Sequence, residues 1–394
     1  MTVAETSDFY DVSSMLTEEE LGIQSRVRAF VETTVVPTIN AFWESAAMPT
    51  PLLDGLRGLG IVGTTIHGHG CPGMSRTAAG IVAQELSRGD GSVNTINAVQ
   101  SGLVMGSIDR FGSEEQKSRW LPPLARLDAL GAFALTEPNH GSDSVALETT
   151  ASLVGDEWVL NGHKRWIGLG SVADIVVIWA RDTADNRVKG FVMERGDEGY
   201  PEGYRPTVIE GKIAKRAVWQ ADIVIEDLHI PAAHRLPLAN SFRDVSALLS
   251  STRTTVAWES VGHAIAAYEI ARDYALERHQ FGKPIASYQL VQNKLANMLA
   301  DLTCLRLLVL RASRLQDADR LSNAQASLAK MTAGQKAREI CREARDMLGG
   351  NGLLLENHVA RHLLDMEVVH TYEGTDSIQS LIVGREITGI AAFN

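Results

Sequence analysis

After Pro284 the chain continues for more than 100 residues, to Asn394, without another proline. Proline removes a backbone donor and its ring clashes with the preceding turn, so nothing in this segment forbids long helices. Ser287 precedes an amphipathic run containing Leu290, Leu295, Met298, Leu299 and Leu302. Ser322-x-x-Gln325 has the spacing of a capping box, in which each side chain satisfies the other residue's free N–H, and Gly349-Gly350 can end that helix. A helical region is expected from about residue 240 onward.

Two segments precede it. Residues from about 15 to 130 also read as helical, opening on Thr17-x-x-Glu20, with apolar positions at Leu21, Val27, Phe30 and Val31 and a Pro122-Pro123 pair near the end. Between about 131 and 235 the pattern shifts to β-rich runs. Trp158-Val-Leu160 leads into Asn161-Gly162, a turn signal, and then Lys164-Arg-Trp-Ile167. Ile175–Ala180, Gly190–Met193 and Ala221–Ile225 follow, separated by polar or glycine-rich turns. Helices, then sheet, then helices is the predicted order.

Composition narrows the function classes. The formal charge of −11 offers no net positive field for a general nucleic-acid binder, although a few local cations or helix N-termini suffice for a nucleotide cofactor. Cys71, Cys304 and Cys341 form neither a disulfide framework nor a zinc module. Charges such as Arg306 and Arg311 interrupt the apolar stretches, leaving no run of roughly 20 apolar residues for a membrane span. The first ten residues carry Glu5 and Asp8 and no basic patch before an apolar run, so a cytoplasmic protein is expected.

Single motifs are weak. Tyr372-Glu-Gly-Thr375 places a carboxylate before a glycine, which would let a bulky ligand approach, but an isolated Glu-Gly is ordinarily a solvated turn. Phe133–Asp143 concentrates turn formers and hydroxyls suited to wrapping a polar cofactor, or to an ordinary interdomain loop. His67-Gly-His-Gly-Cys71 has metal-like residue types without enough converging ligands, and His358 and His362, four apart, lack a Glu-x-x-His context. No metal is expected. Gly168-x-Gly170 lacks the setting of a nicotinamide-binding fingerprint.

Together the motifs say more. Phe133–Asp143, Trp166-Ile167, Arg278-x-x-Phe281-Gly-x-Pro284, Met347-Leu-Gly-Gly-Asn-Gly352 and Tyr372-Glu-Gly-Thr375 occur in this order. The series resembles the acyl-CoA dehydrogenase family over nearly the whole chain. The segment from Glu373 through Thr-Asp-Ser-Ile and Gly384–Phe393 looks closest to glutaryl-CoA dehydrogenases and plant short-chain acyl-CoA oxidases. The resemblance implies an α+β fold: a helical N-terminal domain (1–130), a central β-barrel-like sheet domain (131–238) and a C-terminal four-helix bundle (239–394). It implies FAD as cofactor and α,β-dehydrogenation of an acyl-CoA, with Glu373 as the α-proton base. The family stabilises the charge on the thioester oxygen with the backbone N–H of this Glu and a flavin ribityl hydroxyl.

Carried onto matching positions, Phe133, Leu135, Thr136, Gly141 and Ser142 lie against the flavin, Ser142 also near the CoA, and Trp166, Ile167 and Gly168 cover its ring. Arg278, Phe281, Gln289, Asp346, Gly349 and Gly350 bind the ADP half across a subunit boundary of a homotetramer. Thr375, Ser377 and Phe393 reach the cofactor beside the base, while Arg253 and Gly374 lie at the substrate. The electrons pass to an electron-transfer flavoprotein or, as in oxidases, to O2. The same scaffold also carries flavin monooxygenases, nitroalkane oxidases and oxidases of carrier-protein-bound acyl groups. A non-catalytic FAD- or CoA-binding protein would be expected to lack Glu373 or Arg278.

Two positions depart from the relatives. Glutaryl-CoA dehydrogenases hold the distal carboxylate with an Arg and a Glu where this chain has Asn94 and Ser87. Burying a free carboxylate without that cation is costly, so a short, uncharged acyl chain is expected, with Asn94, Thr95 and Asn97 leaving room for a polar one. Gly168 stands where many relatives have a Thr or Ser that contacts the flavin, and the resulting Trp-Ile-Gly is similar to that of the plant oxidases.

Overall fold

The computed structural model describes residues 7–392, so Phe393 lies outside the described residues. The expected capping box starts α1 (Glu18–Phe30): Thr17 Oγ1 accepts from the Glu20 N–H at 3.2 Å, and the Glu20 carboxylate accepts from the Thr17 N–H at 2.9 Å. α2 (Val36–Ser45), α3 (Leu52–Leu59), a small hairpin of β1 (His67–Gly68) and β2 (Cys71–Pro72), α4 (Arg76–Gly89) and α5 (Gly91–Ala98) follow. A π-helical turn, Val99–Met105, then leads into α6 (Gly106–Phe111) and α7 (Glu114–Ala125), with Pro122 and Pro123 in the last turn of α7.

The middle of the chain is a seven-stranded curled sheet: β3 (Gly131–Ala134), β4 (Thr150–Val154), β5 (Glu157–Gly168), β6 (Ile175–Asp182), β7 (Val188–Glu194), β8 (Tyr204–Val208) and β9 (Gln220–Pro231). The order is β3-β6-β4-β5-β9-β8, with β7 on β6; β3 and β4 run parallel to β6 and the other pairs are antiparallel. Both faces are buried along β6, while β8 and β9 keep one face exposed. Ile175, Val177 and Trp179 join the core shared with the helices, while Val176, Ile178 and Ala180 join a core within the sheet domain.

Asn161-Gly162 is not a turn. β5 runs straight through it, with a bulge between Leu160 and Gly162 in its pairing with β9. Glycine serves close packing there, since a Cβ on Gly162 would lie 2.3 Å from Thr149 Oγ1.

The C-terminal domain comprises α8 (Phe242–Glu277), a hairpin of β10 (His279–Gln280) and β11 (Lys283–Pro284), α9 (Gln289–Asp317), α10 (Asn323–Met347), α11 (Val359–Thr371) and α12 (Asp376–Thr388). α8 packs against α4, α9, α10 and α11 and is buried all round from Ala257 to Tyr268. Each large apolar side chain removed from water there, such as Val261 or Ile265, is worth roughly 1.5–3 kcal/mol. α10 opens on its expected box, Gln325 N–H to Ser322 Oγ at 3.1 Å, and gives way at Gly349–Leu353 to a tight 3₁₀ turn. His358 caps α11 with a left-handed φ of 58° instead of sharing a helix face with His362. No described helix is long and apolar enough to cross a membrane.

Candidate active site

The first half of α8, α5 with its π-helical turn, the ends of β3 and β5, and the turn between α11 and α12 enclose a cavity of about 800 Å³. Small-molecule sites commonly span about 300–1,000 Å³. The α11–α12 turn contains Glu373 at φ 56° and Gly374 at φ 86°. A left-handed conformation costs a non-glycine residue roughly 1–2 kcal/mol, so the turn must be held by its surroundings. Gln379 Nε2 donates to the carbonyls of Glu373 (3.0 Å) and Gly374 (3.1 Å). Lys330, buried on α10, donates to the carbonyls of His370 (3.2 Å) and Gly374 (2.9 Å) and to Asp376 Oδ1 (3.3 Å).

The Glu373 carboxyl is held above the usual glutamate range. Burial is the largest cause, opposed by the Thr252 hydroxyl and by the Arg253 and Lys330 cations, and reinforced by Glu259. Thr252 Oγ1 donates to Glu373 Oε1, and its other acceptor is the Leu249 carbonyl at 2.9 Å. One hydroxyl proton cannot serve both at once, so Glu373 competes for it with the helix's own carbonyl. Arg253, next along α8, donates to Asn323 Oδ1 and to Ser327 Oγ (3.2 Å), while its buried Nε has no partner among the described residues.

In the wall of the same cavity, a second bulge in the β5–β9 pairing, between Lys164 and Ile167, turns Trp166 outward with φ 64° and leaves it 54% exposed. An indole held this way offers a platform for a flat ring. Beneath it, Lys164 Nζ donates to the Leu135 carbonyl (3.0 Å) and to Glu137 Oε1 (2.8 Å), and the Arg165 N–H donates to the Thr136 carbonyl (2.8 Å). Burial pulls the Lys164 ammonium down to about 8 against the pull of Glu137, with which it pairs beneath the Leu135-Thr136 segment. Among the described residues, only Glu137, His140 and Glu148 gather with metal-ligand types, and Glu137 is already held by Lys164 and Thr149.

The cavity's inner end is polar. Lys215, from the loop between β8 and β9, is buried and donates to Glu259 Oε1 (2.5 Å), Thr95 Oγ1 (2.8 Å) and the Tyr372 hydroxyl (2.8 Å). Tyr372 donates in turn to Glu259 Oε2.

Of the residues singled out in the sequence, Asn94, Thr95, Asn97, Phe133, Leu135, Thr136, Gly141, Ser142, Trp166, Ile167, Gly168, Arg253, Glu373, Gly374 and Thr375 line this cavity. Ser377 is exposed on α12 and does not. Arg278, Phe281, Gln289, Asp346, Gly349 and Gly350 form a separate group around the far end of α8. It is tied together by Lys294–Asp346 at 2.6 Å and Asn351–Tyr274 at 2.9 Å, with Phe281 93% exposed on its hairpin. Sequence reasoning missed Thr252, Lys215, Glu259, Lys330 and the π-helical turn. Glu259 alone carried a signal, a carboxylate within an otherwise small and apolar stretch of helix.

A three-part fold closes on a cavity whose wall carries both a half-buried carboxylate, Glu373, and an exposed indole, Trp166. The chain matches the acyl-CoA dehydrogenase N-terminal domain over residues 17–128, the middle domain over 132–228 and the C-terminal domain over 242–388. It is 33% identical over 373 residues to the mitochondrial short-chain specific acyl-CoA dehydrogenase of Rattus norvegicus, covering 93% of this chain and 90% of that one. Two structures of glutaryl-CoA dehydrogenase from Mycobacterium smegmatis superpose with a TM-score of 0.95. One is 38% identical over 99% of both chains, and the other, 36% identical over the same share, is in complex with FADH2. Butyryl-CoA dehydrogenase from Megasphaera elsdenii is 30% identical, covers 94% of this chain and 98% of its own, and has a TM-score of 0.89.

The chain belongs to the acyl-CoA dehydrogenase family. It is an FAD-dependent oxidoreductase of that family. The residues present fit the cofactor: the out-turned Trp166, the pinned Leu135-Thr136 segment and the side-chain-free Gly168 share one wall of the cavity.

Proposed function

We propose that this enzyme dehydrogenates a short, uncharged acyl-CoA between its α and β carbons, with Glu373 removing the α-proton. FAD, when bound, supplies the acceptor for the β-hydride. Everything else is the work of the chain's own side chains. The reference pKa of a glutamate is about 4.3, far below that of a thioester α-C–H, so the proton leaves only if the developing negative charge is stabilised. The Glu373 N–H, at the exit of α11, is the donor offered to the thioester oxygen, and an interaction of this kind is worth about 2.7–4 kcal/mol in a dry site. Burial raises the basicity of the carboxylate, while Thr252 and Arg253 keep enough of it ionised to act. Trp166 and the pinned β3 end align the reacting faces and exclude water.

The observation that carries this reading is the Glu373 carboxylate, held on a constrained turn in the wall of the same cavity as Trp166. Asn94 and Ser87 supply no cation for a distal carboxylate, and Lys215 is already matched by Glu259, so glutaryl-CoA is not the preferred substrate. Some 25 residues of α8 separate Arg253 from Arg278, about 37 Å of helix, more than one flavin dinucleotide spans. The two groups in one chain therefore serve different cofactors, which supports shared sites in a homotetramer. The exposed Phe281, Leu290 and Leu353 are apolar surface for such contacts. The electron acceptor is an electron-transfer flavoprotein.

Anaerobic titration of the FAD-bound protein with butyryl-CoA, longer acyl-CoAs and glutaryl-CoA tests the reading. Butyryl-CoA is expected to bleach the flavin faster than glutaryl-CoA and to yield the 2-enoyl thioester. Faster bleaching by glutaryl-CoA would reverse the substrate assignment, and peroxide formed in air would replace the flavoprotein acceptor with O2.

A further inference from the structure

Unpartnered polar atoms gather behind the inner end of the cavity. Asn94 lines the cavity on α5 and is 1% exposed, yet neither its Oδ1 nor its Nδ2 has a hydrogen-bond partner among the described residues. Its neighbour Thr95 receives Lys215, which also donates to Glu259 and Tyr372, so that corner is already satisfied. One turn earlier on the same face, outside the cavity lining, a Cβ on Gly91 would lie 2.8 Å from Asp365 Oδ2 and 3.0 Å from His263 Nε2, two further buried atoms without a hydrogen-bond partner among the described residues. Buried polar groups are almost always paired, so an orphaned amide lining a substrate cavity marks a place that something polar fills.

The chemistry of that occupant follows from the charges around it. Lys215 is matched by Glu259, and the Lys212 ammonium that also lines the cavity is held by the Lys215 and Val218 carbonyls and by Gln220 Oε1, so an anion would find no cation without partners there among the described residues. An alkyl end would leave the Asn94 amide desolvated and unpaired. A hydroxyl both donates and accepts, and so satisfies both halves of the amide. Glu259 lies seven residues, about 10.5 Å, along α8 from the Thr252 that touches the base, which puts this end beyond the β-carbon of a bound acyl chain.

We infer that the acyl chain oxidised here carries a hydroxyl group beyond its β-carbon, received by the carboxamide of Asn94 in the wall of the cavity. This rests on the dehydrogenase reading above and specifies its substrate class. Asn94 is a specificity residue, and it takes no part in the proton or hydride transfer.

The test compares anaerobic flavin reduction of the FAD-bound enzyme by unbranched acyl-CoAs of about four to eight carbons with reduction by the same chains bearing a terminal hydroxyl or a terminal carboxylate. At the best-fitting length the hydroxylated chain is expected to exceed the alkyl chain in kcat/KM by about tenfold or more. Asn94→Leu should erase that ratio and Asn94→Ser should retain part of it. The inference is overturned if alkyl chains win at every length, if the carboxylate wins, or if the ratio survives in Asn94→Leu. Bleaching by alkyl chains alone would sink it while leaving the dehydrogenase reading intact; no bleaching by any acyl-CoA would sink both.

Discussion

Replacing Gly374 with alanine tests how tightly the turn that carries the base is built. At φ 86° an alanine bears the left-handed penalty of roughly 1–2 kcal/mol. Its Cβ would also lie 2.3 Å from Gln379 Nε2, which donates to the carbonyls of both Glu373 and Gly374. Displacing that amide forfeits two hydrogen bonds at about 0.5–1.5 kcal/mol each, bringing the local cost to about 2–5 kcal/mol. A base displaced by about an ångström loses on the order of 100-fold in rate. Gly374→Ala is therefore expected to keep its FAD and to reduce it about 100-fold more slowly in single-turnover mixing with acyl-CoA. Gly60→Ala is the control, because Gly60 ends α3 at φ 62° with nothing within 4 Å of the added methyl. It should bear the conformational penalty alone, as lowered thermal stability with normal flavin reduction. A Gly374→Ala enzyme that reduces its flavin at the wild-type rate would refute the claim that this turn positions the base.

Further outcomes follow from the same geometry. Because Glu373 acts ionised and burial raises its pKa, flavin reduction should fall as pH drops through a value above the ordinary 4.5, and a midpoint below 4.5 would contradict this. Thr252→Val removes the donor that favours the carboxylate, so the midpoint should move higher, read from the pH profile of the reductive half-reaction. Lys215→Met strands the Glu259 carboxylate, both partners being 2% exposed, and should cost about 3–5 kcal/mol of stability; adding Glu259→Gln should recover much of it, and a calorimetric scan of both variants checks the pair. Arg278→Ala should lower FAD content in the assembled protein without altering the α11–α12 turn, as measured by the ratio of flavin to protein absorbance.

Regular local signals were legible in the sequence. The boxes at Thr17–Glu20 and Ser322–Gln325 start α1 and α10, and the proline-free stretch holds α9 to α12, because capping and helix breaking are decided within a few residues. Asn161-Gly162 misled because a dipeptide does not reveal whether glycine serves a turn or close packing on Thr149. Within the site, the turn at Glu373 and the cavity-lining loop after β3 were legible as motifs. Lys215 and Lys330 were not: a lysine in a loop or on an amphipathic helix is ordinarily solvated, and only the folded chain brings Glu259, Tyr372 and Asp376 to them.

The base itself is tested most directly by mixing Glu373→Gln, loaded with FAD, against butyryl-CoA without oxygen. The amide preserves the shape of the side chain and removes its proton affinity. The enzyme is predicted to stay yellow and to bind the thioester while the flavin band fails to bleach; bleaching at the wild-type rate would contradict the account.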